Sequence, residues 1–549
     1  MRCWGLFAAD PIKIDGGDTA WVLVATALVM LMVPGLALFY AGMVRRKNVL
    51  GTMMHSMIAL CLIGVQWVLI GYCLAFGKTQ GGWIGWDTAY LGLSGVGPDS
   101  RFDGTHIPIY VHCMFQGMFA IITPALISGA IAERVRFGPY CLFILLWATL
   151  VYDPLAHWVW AVKEVKPVEP LVVDNVGLLG KLGAIDFAGG TVVHISAGFS
   201  ALAAILVLRK RFGYPEHATH PNSMVLTVLG GGLLWFGWFG FNGGSALGSN
   251  PLAGMALTAT QVAAAAAALS WVVVEWWHRG KPTALGFASG LVAGLVAVTP
   301  ASGFVSPLGA LWIGLAAGVV CYTMVACLKP AVGYDDSLDA FGIHGIGGFL
   351  GAILTGVFAN FAFWKSANGY PTNFDVSLGN LPAGGIGGQL QAQAIAAVAS
   401  AAYAFIATVI LVKVIDALWG FTLDARSENE GMDRTQHGEV GFDEGQALEA
   451  VGRPSAEPRP ASVPPDGKRH YTIVVEGPPP VELMQVWSEL CQAGAAPPAE
   501  LRTIYPHVTT VKGNAFHFRS GDPQAMAENL QKLFQGRTSS ATPRAHVEA

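Results

Sequence analysis

The chain has 549 residues, of which 53% are hydrophobic and only 12% charged, with a mean hydropathy of +0.49. Soluble domains carry about 25% charged residues, so an ordinary soluble globular protein is excluded and a polytopic membrane protein is expected. The net charge of −4 is small and segregated along the chain, and no basic tract with interleaved aromatics points to nucleic acid.

Residues 1–9 lack the apolar core of a full signal peptide and read as the remnant of one or as residues ahead of the true start. Crossing the hydrocarbon takes about 20 apolar residues. Such stretches run from Trp21 to Val44, Met53 to Phe76, Tyr110 to Ala132, Pro139 to Val162, Gly189 to Leu208 and Ser223 to Ala246. Five more run from Gly254 to Trp277, Ala284 to Val298, Pro307 to Leu328, Ile343 to Phe363 and Leu390 to Leu418. These are about eleven spans, the eighth being short. Loops after odd-numbered spans are basic: Arg45-Arg46-Lys47, Arg134 with Arg136, Arg209-Lys210-Arg211, Arg279 with Lys281, and Lys329. The positive-inside rule then puts the N-terminus outside and the long C-terminal region in the cytoplasm.

Glycine is frequent, at 68 residues, and lets helices pack closely in lipid. Six of the eight cysteines, Cys61, Cys73, Cys113, Cys141, Cys321 and Cys327, lie in or beside apolar segments without a CxxC pair. They read as small apolar residues.

Beyond Asp424 the character changes. The membrane part is assigned to residues 1–424, a polar, acidic tail to 425–452 and a Pro-, Ala- and Ser-rich linker to 453–467. A small α+β unit follows at 468–537. Strands are expected at Tyr471–Val475, Leu501–Ile504 and Ala515–Phe518, with Val508–Val511 available to pair. Helices are expected at Val481–Gln492 and Pro523–Phe534. Residues 538–549 read as disordered.

Within the apolar part, His194 and His344 each follow an aspartate, Asp186 and Asp339, by a few residues in glycine-rich stretches. Ionisable groups at membrane depth are rare and face cavities or paths. Matched positions in spans five and ten suggest two five-span halves, the second inverted, with a site at their interface and an unpaired eleventh span. A metal would want three or four ligands, and no HExxH or carboxylate cluster accompanies the pair. Neutral imidazoles lining a narrow path fit better, since each can donate, accept and pass a proton.

Phe115 and Phe119 share one helix face, Trp160 ends span four, and Trp238, Phe241 and Ser245 lie in span six. Aromatic faces with a hydroxyl suit a small cation, although an interfacial aromatic belt has the same composition. Asp186 could ligate a cation or cap span five, the cap being favoured; Asp339 is expected to cap span ten.

These motifs resemble the ammonium transporter (Amt) branch of the ammonium transporter/Rhesus family. The resemblance rests on Pro34–Gly42, Gly129–Arg134, Asp186–His194, Gly237–Ser245, Phe341–Gly345, Gly431-Met432-Asp433 and His437-Gly438-Glu439, and covers Asp18 to Glu439. It implies an eleven-span homotrimer in the cell (inner) membrane with one pore per subunit and no cofactor or metal. It also implies an outer ammonium site built from Phe115, Phe119, Trp160 and Ser245, with a stacked gate of Phe119 and Phe241 below. His194 and His344 become the twin-histidine pair, with Trp238, Phe39 and Tyr40 along the path. Trp160 and Ser245 favour the Amt branch over the Rhesus branch. Asp433, His437 and Glu439 belong to a tail that, in the family, couples subunits and responds to PII-type signalling proteins.

Two features depart from the family pattern. Val440-Gly441-Phe442 replaces the usual Ala-Tyr pair after the His-Gly-Glu motif, which puts PII-type regulation in doubt. The unit at 468–537 is extra, with a layout like ferredoxin-like regulatory modules, and is expected to bind a small ligand or partner rather than to catalyse. The expectation is therefore transport of ammonium as ammonia with a separately travelling proton. An ammonium sensor signalling through the C-terminal unit is the alternative, and a membrane redox enzyme using the histidines is a weaker third.

Overall fold

The computed structural model describes residues 13–161, 165–166, 172–173, 176–215, 221–360, 385–442, 469–492, 508–512, 514–520, 522–538 and 542–548. The expected linker, the start of the chain and the Leu501–Ile504 strand lie outside the described residues. The chain divides into two compact units, residues 1–446 and 447–549.

The first unit is a helical membrane protein. Among the described residues, ten helices are long and apolar enough to span a bilayer: Gly16–Met43, Arg46–Phe76, Ile109–Ile127, Phe137–Trp160, Gly190–Val207, Met224–Gly244, Pro251–Arg279, Pro307–Val332, Phe341–Phe358 and Ile386–Trp419. The shorter apolar helix Ala284–Val298 lies between the seventh and the next, and brings the series to the eleven expected from sequence. Side-chain caps open several spans as their sequences require. Asp15 accepts from the Asp18 N–H ahead of span one, and Asn250 and Ser306 cap helices that begin with Pro251 and Pro307.

The halves meet through small residues. A side chain at Gly42 would strike Thr227, and one at Gly230 would strike the backbone of Phe39, so spans one and six touch backbone to backbone. Matching irregularities mark the repeat. Span four carries a π-helical turn at Ala148–Tyr152 and span nine one at Met324–Leu328. Span five begins with another at Gly190–Ile195 and span ten with another at Phe341–Gly345. Single π turns sit frequently at functional sites, and both histidines lie in such turns.

The loops after spans one, three, five and nine gather with the tail. Glu133 accepts from Arg45 N, Arg45 Nε and Asn48 Nδ2 at 2.7–3.0 Å. Asp335 pairs with Arg134 at 2.8 Å and with Arg211 at 2.7 Å, all buried. Burial alone would raise both carboxyls. For Glu133 the nearby Arg45 and Arg211, and for Asp335 Arg134 and Arg211, outweigh it and hold them below their ordinary values. Glu428 of the tail accepts from Arg209 at 2.7 Å, and Asp433 Oδ1 accepts from Gly51 N at 2.8 Å, capping the helix of span two.

Among its described residues, the second unit is an antiparallel four-stranded sheet carrying two helices. In chain order it comprises strand Arg469–Glu476, helix Pro480–Gln492, strands Val508–Lys512 and Ala515–Ser520, helix Pro523–Phe534 and strand Arg544–Glu548. The second strand lies at one edge, then the third, the first and the fourth. This is a split βαβ arrangement. Ile473, Val475 and Phe516 of the sheet pack on Leu483, Trp487, Leu530 and Phe534. The last strand corrects the expectation of a disordered end: Arg544–Glu548 pairs with Thr472–Glu476. Alternation of Ala545 and Val547 with polar residues lets so short a segment cover one core face.

Candidate functional site

The two π turns bring the histidines together. His194 and His344 approach Nδ1 to Nδ1 at 3.4 Å, their rings 5.4 Å apart and inclined by 26°. Both are buried. Contact through the same nitrogen fixes a rule. One Nδ1 carries the hydrogen and the other accepts it, so the pair holds one bridging proton when neutral. His194 Nε2 has no partner among the described residues.

The histidines border a cavity whose other walls are apolar. Trp238, Phe241, Phe39, Leu36, Val292 and Leu126 are among its lining residues. Trp238 lies 5.4 Å from the His194 ring and nearly parallel to it. Its Nε1 donates to Thr299 Oγ1 at 2.9 Å, so the indole presents its face, not its N–H, to the path. Tyr40 does not line this cavity: its hydroxyl donates to Leu126 O at 3.0 Å, and its ring lies 6.0 Å from Phe39.

A file of rings continues away from the histidines. Phe241 is 6.1 Å from His194, and Phe119 is 4.1 Å from Phe241 and inclined by 32°. Phe119 then meets Phe115 at 5.0 Å and Trp160 at 6.0 Å, the latter at 89°. Trp160 Nε1 donates to Asp186 O at 2.8 Å, which orients the indole. Ser245 Oγ donates to Phe241 O at 2.8 Å. Its lone pairs remain able to accept from a cationic N–H donor. Phe115 presses on Gly244, where an added Cβ would lie 2.6 Å from its ring. Phe119 thus touches Phe115, Trp160 and Phe241, and Ser245 directly follows the Gly244 on which Phe115 packs.

Asp186 resolves as a cap. Its Oδ1 accepts from Gly189 and Gly190 N–H, and its Oδ2 from Thr191 and Val192 N–H, at 2.6–3.0 Å. Four donors saturate the carboxylate, which leaves it no part as a direct cation ligand. It holds the start of the π turn that carries His194.

Asp339 does not have the expected capping role. Asp336 accepts from Ala340 and Phe341 N–H at 3.1 and 2.8 Å, whereas the Asp339 side chain pairs with Lys329 at 2.6 Å. A signal for Asp336 existed in the sequence, since it precedes His344 by eight residues, as Asp186 precedes His194. Thr299 carried no comparable signal: only the fold brings span eight to Trp238. In the tail, His437 lies edge-on to Phe137 at 4.8 Å, Glu439 N donates to Asp433 O at 3.1 Å, and Arg46 lies 5.3 Å over the Phe442 ring.

Comparison with known proteins agrees with this architecture. Residues 20–442 match the family model described as Ammonium Transporter Family. An ammonium transporter of Aquifex aeolicus is 43% identical over 438 residues, covering 79% of this chain and 95% of its own. One of Bacillus subtilis is 44% identical over 428 residues, covering 78% and 98%. Among solved structures, one described as a sensor Amt protein superposes with a TM-score of 0.66 at 27% identity, covering 76% of this chain and 97% of its own. Mep2 of Saccharomyces cerevisiae gives 0.65 at 34% identity, covering 75% and 91%. With a family match across most of its length and two such relatives, the chain belongs to the ammonium transporter family.

Proposed function

We propose that the protein moves ammonium across the cell (inner) membrane by taking the cation apart and sending ammonia and the proton by separate routes. The observation that carries this reading is the His194–His344 contact inside an apolar cavity. Ammonium is recruited among Phe115, Phe119, Trp160 and Ser245, where ring faces attract the charge and Ser245 Oγ accepts a hydrogen bond. A cation cannot cheaply enter the apolar stretch beyond Phe119 and Phe241. Potassium is therefore refused, because it cannot shed its charge, whereas ammonium can release a proton. Ammonia passes the ring pair and moves along the imidazoles. The proton travels through the His194–His344 bridge, each transfer exchanging which Nδ1 holds the hydrogen, and net transport is electrogenic.

The N-terminus is placed outside and the tail and C-terminal unit in the cytoplasm, with the homotrimer that the family resemblance implies. Grouping of the basic loops with the tail supports this orientation. The tail and the C-terminal unit are assigned a regulatory role, through a small ligand of that unit or a PII-type protein.

The test is ammonium-evoked current in bilayers containing the purified protein, with potassium as control. Current is expected with ammonium alone and is expected to collapse in His344→Ala. A variant with normal current and intact potassium exclusion would remove the proton route. Sensing is the second reading, favoured by the separate C-terminal unit and the likeness to a sensor Amt protein. It predicts no uptake and no current from the full chain.

A further inference from the structure

Spans two and four share a polar contact that takes no part in the pore. Gln66 directly precedes the π turn Trp67–Gly71, and Asp153 directly follows the π turn Ala148–Tyr152. They are 5% and 0% exposed. Gln66 Nε2 donates to Asp153 Oδ2 at 2.7 Å and to Thr149 Oγ1 at 3.1 Å, using both amide hydrogens. Two oxygens of the same pair, Gln66 Oε1 and Asp153 Oδ1, have no partner among the described residues. The hydroxyl of Tyr152, the residue before Asp153, makes no hydrogen bond to either oxygen among the described residues. Among the described residues, no lysine or arginine forms an ion pair with Asp153.

An ionised Asp153 could not satisfy this arrangement. A carboxylate only accepts, and so does an amide oxygen, so neither orphan could serve the other. The group would also be an unpaired charge within a membrane span, which is costly. One proton resolves both problems. A protonated carboxyl gains an O–H donor, and the neighbouring amide oxygen is the acceptor it needs. A planar acid and a planar primary amide can then close a ring of two hydrogen bonds.

Reversing the amide does not remove the requirement. Gln66 Oε1 would then face Asp153 Oδ2, again two acceptors needing a proton between them. Thr149 offers none, because its hydroxyl already donates to Leu145 O at 2.9 Å.

We propose that Asp153 is a resident neutral acid at physiological pH, and that Gln66 and Asp153 form a proton-holding acid–amide clamp between spans two and four. The clamp is distinct from the histidine pair. Asp153 lies seven residues before Trp160 on the same uninterrupted α-helical segment, two turns along one face. Asp153 is therefore a positioning residue for the outer-site indole, a consequence that rests on the proposed outer site.

Infrared spectra of the full-length protein in bilayers at neutral pH test the proton directly. Expected is a protonated-carboxyl carbonyl band that shifts in heavy water and is missing from Asp153→Asn. Asparagine keeps the shape and a two-bond amide ring, so this variant is expected to fold with a wild-type melting temperature. Asp153→Leu cannot pair with Gln66. It is expected to melt lower and to need several-fold more ammonium for half-maximal current, and Asp153→Asn is expected to restore that value. Identical protonated-carboxyl bands in wild type and Asp153→Asn overturn the proposal, as does a band that emerges only on acidification. Absence of any ammonium current would instead fail the transport reading and leave the infrared result standing.

Discussion

Gly198 and Gly348 are reciprocal. Each stands four residues after a histidine, Gly198 against the backbone of Gly345 and His344, Gly348 against the Cβ of His194. Each half thus makes room for the other half's histidine turn. The Nδ1 contact depends on this approach, because any side chain at either position would wedge spans five and ten apart.

Substitution should show it. A Cβ at Gly198 would fall on the amide of Gly345, which is backbone and cannot rotate aside. Overpacking of this kind costs about 1–3 kcal/mol. Gly198→Ala is expected to lose ammonium current by roughly tenfold, the factor that about 1.4 kcal/mol represents. Gly348→Ala, with 2.8 Å to the His194 Cβ, is expected to lose less. Gly232→Ala meets nothing within 4 Å among the described residues and serves as the neutral control. Normal current and melting in Gly198→Ala would show that the close approach is not required.

Trp238 depends on a partner supplied by another span. Thr299→Val removes the acceptor of the indole N–H and leaves a buried donor unpaired, a cost of about 1–3 kcal/mol. The variant is expected to melt lower and to transport more slowly, because the ring is free to turn its N–H into the path. Thr299→Ser keeps the hydroxyl and should behave as wild type. Equal currents for the valine and serine variants would count against the orienting role.

Acid should undo the loop network in a defined direction. Glu133 and Asp335 have folded-state values held below the ordinary ones by their arginine partners, despite burial. Their contribution is therefore fully present above the ordinary carboxylate range and is lost as pH falls through the depressed values. Melting temperature is expected to be flat from neutral pH down to about 5 and to fall below about 4. Asp335→Asn takes the carboxylate partner from the buried Arg134 and leaves Arg211 with Glu133 alone, and breaking a buried pair costs about 3–5 kcal/mol. It is expected to flatten the acid limb from a lower starting stability. An unchanged acid limb would place the titrating groups elsewhere.

Much of this molecule was legible in its sequence, for physical reasons that also mark where legibility ended. A bilayer needs long apolar helices, so the eleven spans stand out from composition alone. His194 and His344 stood out because an imidazole in a glycine-rich apolar run is chemically conspicuous. The cap of span ten was misplaced because Asp336 and Asp339 both precede His344, and proximity is a poorer guide than the shared spacing of eight residues. Gln66 and Asp153 were passed over because neither belongs to a motif, and their pairing exists only once spans two and four lie side by side. The end of the chain misled through length. Five residues give little periodicity, and their strand is specified by the sheet that receives them.

That last strand gives the remaining prediction. Arg544–Glu548 pairs with Thr472–Glu476 and sets Ala545 and Val547 against the core of the second unit. Ending the chain after Thr542 would turn Arg469–Glu476 from an inner strand into an edge strand and uncover part of that core. The amide hydrogens of residues 472–476 that face the missing strand should exchange faster, and the unit should melt at a lower temperature. Span one, whose hydrogen bonds are unaffected, provides the internal reference in the same sample. A disordered end would give a different result, because removing it would leave protection across the sheet untouched. Faster exchange confined to the first strand of the sheet would establish the terminal segment as a structural part of the unit.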